Sequence, residues 1–518
     1  MKYMKTSLII LIVTILSIVL GFARESIVVA KLGVTWQADS FNFVVLLPGF
    51  IFSTIGGVIS TTFLPIYTDI KIKKSLKEAN IFASVFTNYI VIICFILICL
   101  GEIFPDKIVK FLAPGFLGQT FNLTVDLVRL VVPSLFFMGI TYCLIGVLQS
   151  NKDFIIASAI TIPIHLSIII ALVLIYPKYG FNNTIIFVVL GSVIQVLLTI
   201  KQVKKFEYNY YLKMKCDNEY IKKALKMIAP MIIGIMALQI NIMIDRMLAS
   251  TLEAGTITAI NLSSKLNIAS YSSIGYIIVM MIFPILSECK SRDDFEGYGK
   301  VLNKGINIMA ILMIPITIFI IFFSKEIVDV LFGYGKFNKN DIKYIAEILV
   351  WYSLGIFFLA IRDLLNRGFY SLQDTITPMK NSLIAIFLNI VLNIVLIKIF
   401  KAKGIAISTT IAMIICSILL LLSIKNIIKS LSLKVIGINL LKIFLSAVLF
   451  FVTMLEVQNI LNLIGVNKSS KIQIVIYMSI ITFIGIIVYV ITLFIFRVDG
   501  VVEIKQNILK KLNKIMGV

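Results

Sequence analysis

The chain has 518 residues, of which 59% are hydrophobic and 14% are charged, and its formal net charge is +22. Soluble domains are about 45–50% apolar, so this composition excludes an ordinary soluble protein and predicts a polytopic membrane protein. A chain this basic could bind nucleic acid, but its lysines cluster in alternate loops between apolar segments. That pattern is typical of membrane topology and of attraction to anionic lipids, so we expect contacts with membrane lipids and no nucleic-acid partner.

Apolar runs long enough to cross a membrane follow one another along the chain. A spanning helix needs about 20 apolar residues, and the runs between charged or Gly/Pro breaks predict about fourteen such helices. In chain order the predicted spans are 6–22, 41–66, 81–101, 124–148, 154–176, 182–200, 224–250, 262–287, 302–324, 342–371, 379–398, 404–424, 437–455 and 473–496. Lysine-rich loops follow even-numbered spans and a basic tail follows the last, which predicts that both termini are cytoplasmic.

The sequence lacks the patterns of a hydrolase, an ATPase or a metal enzyme. It has one histidine, no Walker motif, and six cysteines without metal-ligand spacing. Hydrolysis and ATP use therefore have no support, and we expect no enzyme activity, no disulfide and no cofactor. The first apolar segment resembles a signal sequence but lacks a small-x-small cleavage site, so we interpret it as a retained helix.

Charged side chains interrupt three of the predicted spans. A charge at membrane depth costs at least about 2.5–3.5 kcal/mol and normally faces a bundle interior or a watery cavity. These residues are Arg24 and Glu25 at the end of the first span, Asp245 and Arg246 in the seventh, and Arg362, Asp363 and Arg367 in the tenth. They predict a polar path through the membrane that accepts anions.

The chain also repeats itself, because short matches keep their order at a spacing of 219 to 224 residues. The matches are Arg24 and Gly33 with Arg246 and Gly255, Phe41-Asn42 with Ile260-Asn261, Ile55-Gly56 with Ile274-Gly275, Pro65-Ile66 with Pro284-Ile285, and Leu148-Gln149 with Leu372-Gln373. The steady spacing predicts a structural duplication, with a three-residue loop difference near its start.

The repeat predicts an all-α polytopic fold of two pseudo-symmetric six-helix bundles, residues 1–205 and 206–430, in parallel orientation. Residues 431–518 then add two transmembrane helices and a basic cytoplasmic tail. Transporters with such repeats hold substrate between the halves and alternate its access by rocking them.

Three segments resemble a known family. They are Gly21–Glu25 with Ala38–Phe41 and Leu47-Pro48, Gln239–Asn241 through Asp245-Arg246 to Ala249-Ser250, and Arg367–Pro378. On these segments the chain resembles the MurJ/MviN family, the lipid II flippases of the multidrug/oligosaccharidyl-lipid/polysaccharide exporter superfamily. The resemblance implies helices arranged as six, six and two in a bacterial cytoplasmic-membrane protein. Such a protein would move a lipid-linked peptidoglycan precursor to the outer leaflet by alternating access.

The resemblance also implies roles for single residues. Arg24 and Glu25 match cavity positions near the substrate's pyrophosphate and sugars, Asp39 matches a functional acid, and His165 matches a polar cavity position. Lys265 falls where the family usually has an arginine. The expected substrate-binding residues are therefore Arg24, Glu25, Asp39, His165, Arg246, Lys265 and Arg362.

The family is also associated with a sodium site in its second bundle. The oxygen ligands of that site match Asp245, Asn389, Asn393 and Thr409, although position 393 is more typically acidic. Asn389 and Asn393 lie four residues apart and share one helix face. Alternatively, these asparagines only form hydrogen bonds between helices, as is common in membranes.

One stretch departs from the family pattern. After Leu47-Pro48 the family usually carries paired arginines and later an acid, whereas residues 49–57 here carry no charge. Cations, arginine above all, neutralise phosphate in a low dielectric. Either Lys265, Arg246 or Arg362 supplies the missing contact, or the substrate differs.

Structural interpretations of the same residues remain open. Arg24 could reach the headgroups, Asp245 or Arg246 could form an interbundle salt bridge, and His165 could serve hydrogen bonding alone. The alternatives to lipid II transport are export of another undecaprenyl-linked glycan, drug/cation antiport, and a non-transporting scaffold that recruits cell-wall synthesis proteins. Transport would be coupled to the membrane potential or to a sodium gradient.

Overall fold

The computed structural model describes residues 2–213, 219–220, 239–272, 274–466 and 469–499. These residues form helices joined by short turns, and no strand occurs among them, so the predicted all-α membrane fold is confirmed. The chain divides into two compact units, Met1–Thr258 with Tyr334–Asn338 and Ala259–Gly333 with Lys339–Val518. The predicted domain boundaries at residues 205 and 430 stay a prediction.

The first unit contains twelve helices among its described residues. They are α1 (Lys2–Leu32), α2 (Trp36–Val58), α3 (Leu64–Lys73), α4 (Leu76–Ile103), α5 (Pro105–Leu112), α6 (Gly118–Val131), α7 (Ser134–Ser150), α8 (Ile155–Ala159), α9 (Ile162–Ile170), α10 (Tyr176–Tyr179), α11 (Asn182–Val203) and α12 (239–250). Two short π-helical stretches, Ile59–Phe63 and Ala171–Ile175, join α2 to α3 and α9 to α10.

The second unit begins within the next helix along the chain. Its helices are α13 (Thr256–Ser272), α14 (Gly275–Ser291), α15 (Phe295–Phe322), α16 (Ser324–Phe332), α17 (Lys339–Ser353), α18 (Ile356–Ser371), α19 (Ile376–Phe400), α20 (Ala402–Ile427), α21 (Leu433–Leu463) and α22 (Lys471–Ile495).

Length and apolarity identify 10 membrane-spanning candidates in the described part of the chain, or up to 12 if two bent pairs each count as one span. The bent pairs are α6 with α7 and α13 with α14. Of the remaining predicted spans, 41–66 forms α2, the π-helical stretch and the start of α3, and 224–250 begins outside the described residues. The count of fourteen is consistent with these helices, and its final value stays a prediction.

The first helix is longer than the predicted span, which ended at residue 22. α1 continues to Leu32, and Gly33 ends it with a φ of 73° while its N–H donates to the carbonyl of Val29 at 2.8 Å. Glycine adopts this left-handed conformation without the strain that a Cβ would add. Arg24 and Glu25 therefore lie inside a continuous helix and not at its end.

Helix caps and helix ends recur with the spacing of the repeat. Ser75 caps α4 and Asp294 caps α15, each by accepting a hydrogen bond from the N–H three residues later. These two residues are 219 positions apart, and so are Phe104 and Phe323, the C-cap residues of α4 and α15. The duplication predicted from short sequence matches is thus present in the backbone.

The predicted pairing of Leu148-Gln149 with Leu372-Gln373 is wrong by three residues. Lys152 and Gln373 are the structural equivalents, with φ of 62° and 63° at a spacing of 221 residues. In both turns the N–H of the following aspartate donates to the carbonyl five residues earlier at 3.0 Å. Turn geometry, rather than shared residue identity, therefore sets the alignment of the two copies here.

Asp374, which follows the second of these turns, caps α19. Its carboxylate accepts from the N–H groups of Ile376 and Thr377 at 3.0 Å each. Hydrogen bonds from Thr377 hold the pKa of Asp374 below its ordinary value, because they stabilise the charged carboxylate.

Polar contacts attach the last two helices to the second unit. At the start of α22, Lys471 forms an ion pair with Asp329 of α16. Further along the same helix, the hydroxyl of Tyr489 donates to the carbonyl of Ile311 in α15 at 3.0 Å. A buried apolar cluster that includes Phe450 and Met454 fills the space between these helices. The α21–α22 pair is thus packed into the second unit.

Candidate functional site

Arg24 and Glu25, which are predicted to line a cavity, form an ion pair with each other on α1. The guanidinium of Arg24 donates to the carboxylate of Glu25, whose exposure is 2%. The Nε of Arg24 is buried and has no hydrogen-bond partner among the described residues. Glu25 therefore offsets the charge of Arg24 in part, while one guanidinium N–H remains as an unused donor.

His165 of α9 packs against the face of α1 that carries Arg24. Residues 17, 21 and 24 are spaced to share that face. Ser17 and Thr161 of α8–α9 lie 2.5 Å apart through their hydroxyl oxygens, and one turn further Gly21 packs directly against the His165 imidazole. The structure thus brings His165 to the polar stripe of α1 that also carries Arg24.

Asp39 of α2 caps the N-terminus of α13, the helix that is equivalent to α2 in the second copy of the repeat. Its carboxylate accepts from the N–H of Gly255 at 2.6 Å, and from the N–H and hydroxyl of Thr258 at 2.8 and 2.7 Å. An acidic side chain at a helix N-terminus satisfies free N–H groups and offsets the helix dipole. Asp39 thus has a structural task at the first turn of α13, and its predicted contact with substrate stays a prediction.

The sequence explains why α13 needs a cap from outside. In α2 the side chain of Thr35 accepts a hydrogen bond from the N–H of Ala38 at 3.4 Å. The residue 219 positions after Thr35 is Ala254, which has no side-chain acceptor. Asp39 replaces the missing cap, and this role is not evident from the sequence alone.

Arg246 of α12 reaches the same turn. Its guanidinium donates to the carbonyl of Ile257 at 3.4 Å, and the residue is 7% exposed. Its neighbour Asp245 is 9% exposed. The predicted residues Asp39 and Arg246 therefore converge on the N-terminus of α13, within the first unit.

Two glycine loops meet helix ends in the first unit. The N–H of Gly115, between α5 and α6, donates to the hydroxyl of Ser250 at the end of α12, at 3.1 Å. The N–H of Lys336 donates to the carbonyl of Ala30 in α1 at 2.9 Å. A Cβ at Gly115 or at Gly335 would overlap the backbone that each loop contacts. The two glycines are 220 residues apart, so the contacts are reciprocal between the two copies of the repeat.

The second unit holds the other predicted cations. Arg362 of α18 pairs with its neighbour Asp363 at 3.1 Å, and the hydroxyl of Tyr271 in α13 donates to the same carboxylate at 2.7 Å. Arg367 lies over the ring of Phe283 at 5.7 Å from its centroid, and Lys265 is half-buried on α13. Asp363 thus has two side-chain partners within the second unit. Tyr271 carries no charge and stands in an apolar helix, so its hydrogen bond to Asp363 has no signal in the sequence.

Three of the four predicted sodium ligands lie together between α19 and α20. Asn393 donates to Asn389 at 3.0 Å, Asn389 donates to Thr409 at 3.4 Å, and Ser408 donates to Asn393. Asp245, the fourth predicted ligand, belongs to the first unit. The oxygens are of the hard type that small cations prefer. They are already engaged with one another, so an ion would have to replace hydrogen bonds within the cluster.

Comparison with known proteins gives consistent matches. The family model described as "Lipid II flippase MurJ" matches residues 28–476. A probable lipid II flippase MurJ of Rickettsia prowazekii (strain Madrid E) is 29% identical over 420 residues, covering 80% of this chain and 82% of the relative. The lipid II flippase MurJ of Burkholderia cenocepacia is 24% identical over 422 residues, with coverage of 80% and 82%.

Solved structures extend these matches to the fold. A lipid II flippase MurJ in an inward closed conformation superposes with a TM-score of 0.80 at 26% identity, covering 94% of this chain and 98% of that one. An inward-facing multidrug resistance transporter of the MATE family has a TM-score of 0.65 at 14% identity, covering 82% and 98%. The second similarity concerns the fold alone.

Proposed function

The chain belongs to the MurJ family, and from this membership we propose that it is a flippase that moves lipid II, the lipid-linked peptidoglycan precursor, from the inner to the outer leaflet. The observation on which the proposal rests is the family match over residues 28–476. The apolar helices and the family together make it a multi-pass protein of the bacterial inner membrane and a transporter rather than an enzyme.

The buried cations support this proposal chemically. A lipid pyrophosphate needs positive charge along its path, and guanidinium groups bind phosphate through two parallel hydrogen bonds. In the first unit Arg24 and Arg246 lie in apolar helices with little exposure, and Arg24 retains an unused buried donor. In the second unit Arg362 of α18 and Lys265 of α13 are partly buried cations. These four residues are cationic groups in a chain whose α2 contains no lysine or arginine.

We also propose that both termini face the cytoplasm, because the lysine-rich loops and tail follow even-numbered spans. Labelling of a cysteine introduced at Ser75 by an impermeant reagent added outside the cell would contradict this orientation. We propose cell-wall synthesis proteins as partners, because the proposed substrate is a peptidoglycan precursor.

Complementation tests the function. The protein is expressed in a bacterium depleted of its only lipid II flippase, and precursor exposure on the outer leaflet is followed. We expect rescue by the native chain. Arg24→Gln and Arg246→Gln should lower translocation roughly ten- to a hundredfold, because a hydrogen bond to a charged group contributes about 1.5–3 kcal/mol. Arg292→Gln is the control, since the side chain of Arg292 is exposed and forms a surface ion pair with Glu288.

The possible results separate the alternatives. A folded, membrane-inserted protein that fails to rescue would exclude lipid II and favour another undecaprenyl-linked glycan. Rescue that survives both arginine substitutions would favour the scaffold, because a scaffold needs no intramembrane cations.

A further inference from the structure

A polar strip connects α13 and α18 inside the second unit. At its centre the carboxylate of Asp363 accepts from the hydroxyl of Tyr271 at 2.7 Å and from the guanidinium of Arg362 at 3.1 Å. Tyr271 is 5% exposed, whereas the side chains of Arg362 and Asp363 are each 28% exposed. The centre of the strip is therefore anchored on one side and reachable by a ligand on the other.

Two asparagines flank this centre, one on each helix. Asn267 lies four residues before Tyr271 on α13, and Asn366 lies three residues after Asp363 on α18, so each shares a face with its neighbour in the strip. The side-chain carbonyl oxygens of both asparagines are buried and have no hydrogen-bond partner in the described part of the chain. A buried acceptor without a donor costs about 1–3 kcal/mol, so both positions are arranged for a donor that arrives from elsewhere.

The first repeat shows that the fold does not require these polar groups. The residues 219 positions before Asn267 and Tyr271 are Pro48 and Phe52, and the residue 221 positions before Asp363 is Tyr142. Phe52 and Tyr142 make the equivalent contact as an aromatic stack, with ring centroids 5.6 Å apart and an interplanar angle of 8°. The same helix contact is thus formed by an aromatic stack in one copy and by a hydrogen bond to a carboxylate in the other.

The chemistry of the strip selects one part of a lipid-linked glycan. Phosphate oxygens only accept hydrogen bonds at neutral pH, so a pyrophosphate cannot satisfy two buried carbonyl oxygens. Sugar hydroxyl groups and N-acyl amide N–H groups donate. We propose that Asn267, Tyr271, Asp363 and Asn366 form the glycan-binding strip of the transporter. The inference rests on the proposed function and specifies which residues recognise the sugar.

Leucine substitution distinguishes binding from structure. Asn267→Leu and Asn366→Leu replace an amide whose carbonyl oxygen has no partner by an apolar group of similar volume, which should leave thermal stability unchanged or raise it. Purified variants in lipid nanodiscs are titrated with lipid II and with undecaprenyl pyrophosphate, which lacks the glycan. We expect each substitution to weaken lipid II binding roughly three- to tenfold, the effect of one hydrogen bond, and to leave undecaprenyl pyrophosphate binding unchanged.

Asn307→Leu is the matched control. Asn307 is 3% exposed, as is Asn267, and its carbonyl oxygen is also buried without a partner among the described residues, but it lies on α15 outside the strip. This variant should keep the native preference for lipid II.

Each contrary result overturns a definite statement. Leucine variants that keep the preference for lipid II would mean that the two oxygens bind only water. Variants that unfold or lose stability would mean that the asparagines serve the fold, and equal loss of both ligands would place them at the phosphate. If the native protein binds undecaprenyl pyrophosphate as tightly as lipid II, the glycan adds no affinity. That result would contradict the glycan-binding strip but not the flippase function. Binding of neither lipid overturns the proposed function, and the strip with it.

Discussion

At the scale of single residues, the charged groups in the first unit have protein partners before any substrate arrives. Arg24 is paired with Glu25, Asp39 accepts from the first turn of α13, and Arg246 donates to Ile257. Removing one member of a buried ion pair is strongly destabilising, because the other charge is left without compensation. A loss of transport on substitution therefore has to be measured together with stability at each of these positions.

Asp39 gives a prediction at this scale. In Asp39→Ala the buried N–H groups of Gly255 and Thr258 lose their acceptor, and we expect the free energy of unfolding to fall by about 1–3 kcal/mol. Asp39→Asn retains one acceptor oxygen and should cost less. Thermal unfolding in detergent measures both.

Thr35→Ala serves as the reference for this prediction, because Thr35 caps α2 by a longer hydrogen bond of 3.4 Å. Its loss should be smaller than that of Asp39→Ala. If Asp39→Ala were as stable as the native chain while transport failed, the capping role would be secondary and a direct substrate contact would be favoured.

At the scale of elements, the two copies of the repeat are similar in turns and caps and different in the chemistry between their helices. π-Helical stretches interrupt the second and fifth spans of the first copy, whereas the equivalent α14 and α19 are regular. Such interruptions often occur at functional sites. The glycine loops, by contrast, occur in both copies and dock on the ends of α12 and α1.

The glycine loops give a prediction at this scale. Gly115→Ala and Gly335→Ala place a Cβ into the backbone that each loop contacts, and Gly335 has a φ of 64° that disfavours any side chain. We expect each substitution to lower the free energy of unfolding by roughly 1–3 kcal/mol. A cysteine at Ser250 or Ala30 should become more accessible to thiol reagents in the corresponding variant.

Gly437→Ala is the control, because a Cβ at Gly437 in α21 meets nothing within 4 Å. That substitution should be neutral or slightly stabilising, since alanine is the better helix former. Equal stability of all three variants would mean that the contacts between the loops and the helix ends do not stabilise the fold.

At the scale of the whole molecule, the predicted ligands of the coupling ion are divided between the two units. The second unit brings Asn389, Asn393 and Thr409 together, while Asp245 lies in the first unit. We propose sodium as the coupling ion on the family pattern. The cluster is neutral and internally hydrogen-bonded, so its affinity for sodium should be weak.

The sodium proposal predicts that sodium, but not potassium or choline at equal ionic strength, raises thermal stability and transport. Asn393→Leu should abolish both effects, and Asp245→Asn tests whether the aspartate contributes to them. Sodium dependence unchanged in Asp245→Asn would reject the four-ligand site, and no sodium dependence in the native protein would favour coupling to the membrane potential.

Much of the architecture could be predicted because its determinants are local. Twenty apolar residues in a row identify a spanning helix, and charged residues inside such a run identify positions that avoid lipid. The sequence predicts an end of the first span at residue 22 because Arg24 and Glu25 look like a boundary, whereas in the structure Gly33 terminates the helix. The later repeat match was misaligned because leucine and glutamine recur by chance, whereas the turn depends on backbone conformation.

The sequence by itself determined that the chain is an all-α, duplicated membrane protein with cations at membrane depth, because hydropathy and repeat spacing are properties of the linear chain. Only the tertiary structure decided that Asp39 caps α13 and that Tyr271 and Asp363 form the centre of a polar strip. Those contacts join residues that are 219 and 92 positions apart. Which distant polar groups meet depends on how helices pack, and no local pattern records it.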